Sequence, residues 1–212
     1  MPGSTAYGGL DVLQPKEGET ILVSAASGAV GISIGMLAKA LFGCKVIGSC
    51  GGEEKCNIIV SEFGFDHAID YKKVSSAQEL KEMISAVAPK GIDMYFEGVG
   101  GIHLEAALDL LRTNGRIAVC GQISDYNRNP NDPHKYPISV ANMIYKCQRI
   151  EGFVCTPWLD GKKGRFLSDM SKWLQEGKVK PKETFFDGIE QWPLAFQSLF
   201  TGKHLGKVVV RV

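Results

Sequence analysis

A doubly wound parallel α/β sheet is the fold class the sequence predicts, on three observations. Short apolar, β-branched runs alternate with segments of helical period along most of the chain. The links between them are brief, as the crossovers of a parallel sheet require. A glycine-bearing turn follows the first strong strand and opens a helix, where open α/β sheets hold ligands. The 212 residues are 44% hydrophobic and 22% charged, a mix that suits a folded domain and not a disordered tail.

The elements follow in order. Thr20–Ser24 (TILVS) predicts a buried strand, since its apolar run shows no alternation. Val30–Leu41 has helical spacing, Lys45–Ser49 (KVIGS) is strand-like, and Glu53–Glu62 predicts a helix with an acidic start that suits its dipole. A short strand at His67–Asp70 precedes a helix over Ala77–Val87, which Pro89-Lys90-Gly91 bounds. Ile92–Phe96 is the fourth expected strand, Leu104–Leu111 a helix and Arg116–Cys120 the fifth strand. Tyr126–Pro137 (YNRNPNDPHKYP) then interrupts the rhythm with three prolines and three asparagines. It reads as a long surface loop, of the kind that serves as a lid or binding loop. A helix at Ser139–Lys146, a sixth strand at Arg149–Val154 and a helix at Gly164–Glu176 follow. Lys182–Asp187, Trp192–Thr201 and Lys207–Val212 add strand, helix and strand.

Composition narrows the function classes. Twenty-four Lys and Arg against 23 Asp and Glu give a net charge of +1, which argues against nucleic acid or an acidic membrane as partner. No apolar run reaches the ~18–20 residues that span a bilayer. The opening MPGSTAYGGL carries no secretory pattern, so the cytoplasm is the expected location. None of the six cysteines forms a C-x-x-C pair and no histidine sits at finger spacing, so no metal site is expected. The expectation is reduced, mostly buried thiols, Cys147 and Cys155 among them. His67, His103 and His134 are expected at the surface or in loops.

The chemistry concentrates at Ser24-Ala25-Ala26-Ser27-Gly28-Ala29-Val30-Gly31. Aligned on G-x-G-x-x-G, Ala26 takes the first glycine position, Gly28 the second and Gly31 the third. Gly28 admits close approach of a pyrophosphate to the backbone, and Gly31 close packing of helix on sheet. A plain tight turn is the alternative for so degenerate a pattern. The second strand ends Gly48-Ser49-Cys50-Gly51-Gly52, without the acid that binds a ribose 2′-hydroxyl in NAD enzymes. Lys55 follows in the first helical turn, where it opposes the dipole; a 2′-phosphate would account for it, and a solvated lysine beside Glu53 and Glu54 is the alternative. Tyr95–Gly101 and Cys120–Tyr126 end the fourth and fifth strands at the same edge. Ser124 and Tyr126 offer hydroxyl donors there, although Tyr126 also reads as an amphipathic loop residue.

These motifs together resemble the prostaglandin reductases. The resemblance rests on Met1–Tyr7, Ala25–Gly31, Gly52–Lys55, Phe65-Asp66, Asp70-Tyr71-Lys72, Val99-Gly100-Gly101, Cys120–Asn127 and Leu205-Gly206-Lys207. It covers essentially the whole chain. Members of that family are zinc-independent, NADPH-dependent medium-chain dehydrogenases/reductases that reduce the carbon–carbon double bond of α,β-unsaturated ketones and aldehydes. The resemblance implies a Rossmann fold in which Gly28, Ala29, Val30 and Gly31 cradle the pyrophosphate of NADP(H), and Lys55 and Tyr71 meet the 2′-phosphate. It places Cys120, Gly121, Gln122, Ile123, Ser124, Tyr126, Phe153, Val154 and Cys155 at the nicotinamide end, with Tyr126 reaching the substrate carbonyl. Two positions depart from the family pattern: Gly98 stands where Asn is common, removing a cofactor hydrogen bond, and His204 where Asn usually precedes x-Gly-Lys.

By the same resemblance, residues 1–180 form an NADP-binding domain, and 181–212 a segment returning toward a GroES-like barrel that family members carry ahead of this region. Lys207–Val212 would pack on that barrel. The sequence therefore reads as the cofactor half of an enone or enal reductase. A quinone reductase and a non-catalytic dinucleotide-binding module remain as alternatives. The sixth strand, Arg149–Val154, is a candidate for pairing with a second copy.

Overall fold

The computed structural model describes residues 1–129, 131–132, 135–136 and 138–212. Within the expected Tyr126–Pro137 loop, Pro130, Pro133, His134 and Pro137 lie outside the described residues. The chain opens with helix α1 (Pro2–Leu13), then alternates β1 (Thr20–Val23), α2 (Ala29–Phe42), β2 (Lys45–Cys50), α3 (Glu53–Ser61), β3 (His67–Asp70), α4 (Ala77–Val87), β4 (Ile92–Glu97), α5 (Gly101–Leu110) and β5 (Leu111–Val119). After the loop come α6 (Val140–Tyr145), β6 (Arg149–Gly152), α7 (Thr156–Leu159), α8 (Phe166–Gln175), β7 (Glu183–Asp187), α9 (Trp192–Thr201) and β8 (Lys207–Arg211).

Six strands form one parallel sheet in the order β3-β2-β1-β4-β5-β6, the doubly wound arrangement expected from the sequence. Leu22 of β1 lies opposite Ile47 of β2 and Tyr95 of β4, so the central strands have neighbours on both sides and are buried on both faces. One core lies between the sheet and α1, α2, α3 and α8, with Ile21, Val23, Ile34, Leu37, Ile59 and Phe96 in it. The other lies beneath α4 and α5, around Leu22, Leu80, Ile84, Tyr95 and Leu104. β7 and β8 pair parallel in a separate two-stranded sheet.

Local chemistry sets the element ends. The Ser76 hydroxyl caps α4 by accepting from the Glu79 amide at 3.2 Å, while the Glu79 carboxylate accepts from the Ser75 amide. Arg116 pins the end of α1 to β5. Its guanidinium donates to the Leu13 and Gln14 carbonyls at 2.9 and 2.8 Å and to both oxygens of Glu19. β5 begins five residues before the expected Arg116, because Leu111 already pairs with Ile92; the intervening residues loop out, with Asn114 at φ 62. Cys120 falls just beyond the strand, and β6 stops at Gly152 instead of Val154.

Two expectations fail on burial. Cys147 is exposed and Cys155 half-buried, because each sits in a turn outside the two cores. His103 is buried on α5, where its Nε2 lies 2.9 Å from the Ser49 hydroxyl of β2 and its ring meets Tyr71 edge-on at 5.2 Å. Burial holds its pKa down at about 4, so the ring is neutral at pH 7. His67 is half-buried in β3.

Two predictions follow from these contacts. A Cβ on Gly35 would stand 2.1 Å from Phe65 Cζ, so Gly35→Ala forces the buried Phe65 ring or α2 to shift. The expected cost is about 1–3 kcal/mol, read as a lower urea midpoint at unchanged m-value. For His103, the folded ring takes a proton near pH 4 and an unfolded one near 6.5. Between those values the unfolded chain binds more protons, so stability falls as pH drops through the window and is level above it. The slope from this group approaches about 1.4 kcal/mol per pH unit. Urea unfolding across the window should show that slope reduced in His103→Asn; parallel profiles for both proteins would refute the assignment.

Candidate functional site

The carboxyl ends of β1, β2, β4 and β5 converge on one edge of the sheet, and β1 and β4 flank the point where strand order reverses. In the turn after β1, Ala25 takes a left-handed φ of 47° and the Ala26 amide donates to the Ser49 carbonyl at 2.9 Å. Ala26 occupies the first glycine position of the motif without strain because Gly48 on β2 faces it. A Cβ on Gly48 would lie 2.8 Å from that of Ala26. Gly28 then begins α2 with no side-chain cap and no acid in the first turn. The first turn of α2 therefore has no side-chain acceptor at the positive end of the helix dipole, an arrangement that favours an anion. Gly31 packs so close that a Cβ would lie 2.4 Å from the Ala25 carbonyl oxygen.

The β2 end makes a second platform. Gly52 takes φ 104°, and its amide donates to Asp70 Oδ1 at 2.8 Å, which fixes the Gly51-Gly52 turn. Tyr71 is half-buried; its hydroxyl lies 2.9 Å from where a Gly51 side chain would start. Lys55 is not the solvated lysine of the alternative reading. Its ammonium donates to the Gly202 carbonyl at 2.7 Å and to the His204 carbonyl, so it bridges α3 to the C-terminal turn. Burial lowers its pKa, and both hydrogen-bond partners are neutral. His204 faces inward, with Nδ1 2.9 Å from the Ser198 carbonyl. Beside it, the Gly206 amide donates to the Ser27 carbonyl at 2.8 Å, so the C-terminal loop runs along the turn after β1.

At the end of β4, Glu97 is fully buried. Its Oε1 accepts from the amides of Val99 and Gly100 and lies 3.3 Å from the Ser24 hydroxyl, which in turn accepts from the Gly98 amide. Burial pushes the Glu97 carboxyl up, and these amides oppose the shift. The turns after β4 and β5 are stitched together. Ser124 and Ile123 donate to the Val99 and Gly98 carbonyls, and the Tyr136 hydroxyl accepts from the Gly101 amide while donating to Asp125. A side chain at Gly98 would make ordinary contacts only, 3.9 Å from Cys120 Sγ and Ser24 Oγ.

An open groove continues this edge, lined by Cys120, Gly121, Gln122, Tyr126, Phe153 and Val154. Tyr126 is 62% exposed, with its hydroxyl over Gly121. Phe153 packs edge-on to Trp158, and Cys155 starts α7 by accepting from the Trp158 amide. Burial with Glu97 nearby pushes the Cys120 thiol up to about 12, so it stays protonated. Ser124 lies apart from the groove: its hydroxyl turns toward Gly100 and Gly101.

The structure thus gathers Gly28–Gly31, Gly98 and Cys120–Gln122 with Tyr126, Phe153 and Val154 on one edge. Lys55 and Tyr71 stand at the β2 end of it, and His204 beside Lys55. Sequence reasoning places Ser24 and Glu97 within its motifs and Tyr136 within the long loop but assigns none of the three a role. An acid ending an apolar strand just before a glycine run was the available signal for Glu97, because such a carboxylate reaches amides two and three residues on. Among the described residues, no group of three or more His, Cys, Asp or Glu side chains is placed to hold a metal ion. Among them, too, no helix is long and apolar enough to cross a membrane.

The chain is 42% identical to the NADPH-dependent curcumin reductase of Escherichia coli over its full length, which covers 61% of that protein. It is 43% identical to prostaglandin reductase 1 of Rattus norvegicus, again over 100% of this chain and 62% of the relative. The crystal structure of CurA from Vibrio vulnificus in complex with NADPH superposes on it with a TM-score of 0.89 at 43% identity, covering 100% of this chain and 62% of CurA. The chain therefore spans about three fifths of the length of these proteins. The model of the zinc-binding dehydrogenase family matches residues 29–169, from the start of α2 into α8. With that match running over well more than half of the chain, from α2 across β2 to β6, the chain belongs to the zinc-binding dehydrogenase family.

Proposed function

We propose that this chain binds NADP(H) along the carboxyl edge of its sheet and forms the cofactor-binding part of a reductase acting on the carbon–carbon double bond of α,β-unsaturated ketones or aldehydes. The observation that carries the cofactor reading is the pair of anion-ready positions. The uncapped first turn of α2 suits a pyrophosphate, and Lys55 beyond a β2 strand that itself ends without an acid suits a 2′-phosphate, with Asp70 of β3 engaged by the Gly52 amide. The residues present fit the group. Gly28 and Gly31 leave backbone where side chains would stand, Tyr71 flanks Gly51, and the groove past Cys120 has small residues able to take a flat ring. NADPH-dependent curcumin reductase and prostaglandin reductase 1 as relatives support the same reading.

Bound there, the cofactor would supply the hydride. The chain's own part is orientation. Glu97 and Ser24 hold the amides of Gly98–Gly100 in one arrangement, and the Tyr136 hydroxyl locks that turn to the one carrying Tyr126. Tyr126, exposed at the groove, is the donor we assign to a substrate carbonyl as its oxygen gains charge. Residues 1–180 act as the nucleotide-binding domain and 181–212 as the segment that meets the remainder of such an enzyme. The outer edge of β6 would pair with a second copy, and the cytoplasm is the location we assign.

Nucleotide fluorescence titration tests the cofactor. NADPH should bind more tightly than NADH, and Lys55→Ala should erase about ten- to hundred-fold of that preference while sparing NADH. Equal affinities in the parent chain would sink the assignment. For the chemistry, hydride transfer to a 2-alkenal is timed in single turnover, on this chain and on a version carrying the additional length of its relatives. Where transfer is observed, Tyr126→Phe should slow it by about a hundred-fold or less, since a main oxyanion donor contributes about 2.7–4 kcal/mol and a ribose hydroxyl shares the task. NADPH affinity should stay unchanged; an unaltered transfer rate would leave Tyr126 without that role.

A further inference from the structure

Beyond the nucleotide-binding reading lies a pair of thiols that it does not use. Cys50, the last residue of β2, and Cys56, in the first turns of α3, bring their sulfurs to 3.3 Å across the Gly51-Gly52 turn. Both are buried, Cys50 the more completely. No other pair among the described cysteines is in such contact. Cys56 also lines a surface groove beside Asn57, Asp66 and His67, which gives a small oxidant a path to it. A disulfide needs the sulfurs at about 2 Å. The remaining approach is short, and one flank of the turn is glycine at φ 104°, the residue type that yields most readily.

We propose that Cys50 and Cys56 are a modification site: a dithiol that a hydroperoxide oxidises to an intrachain disulfide and a small thiol reduces again. The first step transfers oxygen from the peroxide to the Cys56 sulfur, giving a sulfenic acid and water from hydrogen peroxide. The Cys50 sulfur then attacks it, forming the S–S bond and releasing a second water. The two thiols lose two electrons and two protons in total, and the peroxide gains them. Contact between the sulfurs makes the second step intramolecular, hence fast relative to further oxidation. Burial keeps both thiols protonated at neutral pH, which slows the first step and sets the pair to sustained oxidant.

The bond would tie the start of α3 to the end of β2, beneath Gly51-Gly52 and next to Lys55. If the nucleotide reading above holds, oxidation therefore acts at the 2′-phosphate end of the site.

Trypsin cuts after Lys55, between the two cysteines, so the state of the pair is legible in a digest. The folded chain is treated with hydrogen peroxide without nucleotide, alkylated and digested without reductant. The expected product is peptide 46–55 joined to peptide 56–72, lighter by two hydrogens than the sum and separated by dithiothreitol. Recovery of both peptides unlinked and alkylated, at peroxide sufficient to oxidise the exposed Cys147, overturns the proposal. So does a cross-link to Cys50 that persists in Cys56→Ser. This readout stands whether or not the chain binds NADP(H). In a second measurement, NADPH binding to the cross-linked protein should weaken by about tenfold and return on reduction, with NADH affinity unaltered.

Discussion

The arrangement of the whole edge depends on how closely α2 approaches the turn that precedes it. With no side chain at Gly31, the helix begins against the Ala25–Ala26 backbone, at a separation that a single methyl group would forbid. Its first turn consequently lies at the edge where strand order reverses between β1 and β4. The neighbouring strands are tied to the same turn. Ala26 donates to β2 through Ser49, Ser24 accepts from the amide after β4, and Gly206 donates to Ser27 from the far end of the chain. Displacing α2 by an ångström would disturb each of these bonds, since they share one short segment.

Glu97 plays the corresponding part on the other side of the reversal. A buried carboxyl is costly unless its oxygens are satisfied. Here the amides of Val99 and Gly100 and the hydroxyl of Ser24 converge on one oxygen. Those amides would otherwise be unpaired in a tight turn in which Gly100 and Gly101 both take positive φ. That oxygen and the turn thus compensate each other, while Glu97 Oε2 is buried without a hydrogen-bond partner among the described residues. Tyr136 carries the constraint on to the turn after β5, so that the groove holding Tyr126 is positioned from β4 as well as from its own strand.

Much of this was legible in the sequence, for identifiable reasons. β1 is buried on both faces and reads as a continuous apolar run, β2 and β4 carry apolar centres, and α2 follows a glycine motif at its proper place. α1 was visible only through the family resemblance. It carries Gly8 and Gly9, poor helix formers, because Trp158 and Phe96 press where their side chains would be. The early start of β5 was hidden by residues that loop out of register. His103 looked like a surface residue because its partner, Ser49, is 54 positions away in sequence. No local pattern encodes a hydrogen bond of that kind, nor the contact of Lys55 with the C-terminal turn.

That last contact bears on how the site would respond to a phosphate. Lys55 holds two neutral carbonyls, each such bond contributing modestly, whereas a bond between two charged groups contributes about 1.5–3 kcal/mol. Burial has already stripped part of the ammonium's water, as its lowered pKa reflects. If a 2′-phosphate binds here as proposed, it would replace two neutral acceptors of Lys55 with a charge-assisted one. Such an exchange would free the turn at Gly202–His204, next to the loop that reaches Ser27 through Gly206. Binding at the β2 end and the position of the C-terminal loop at the α2 end are then linked through a single side chain.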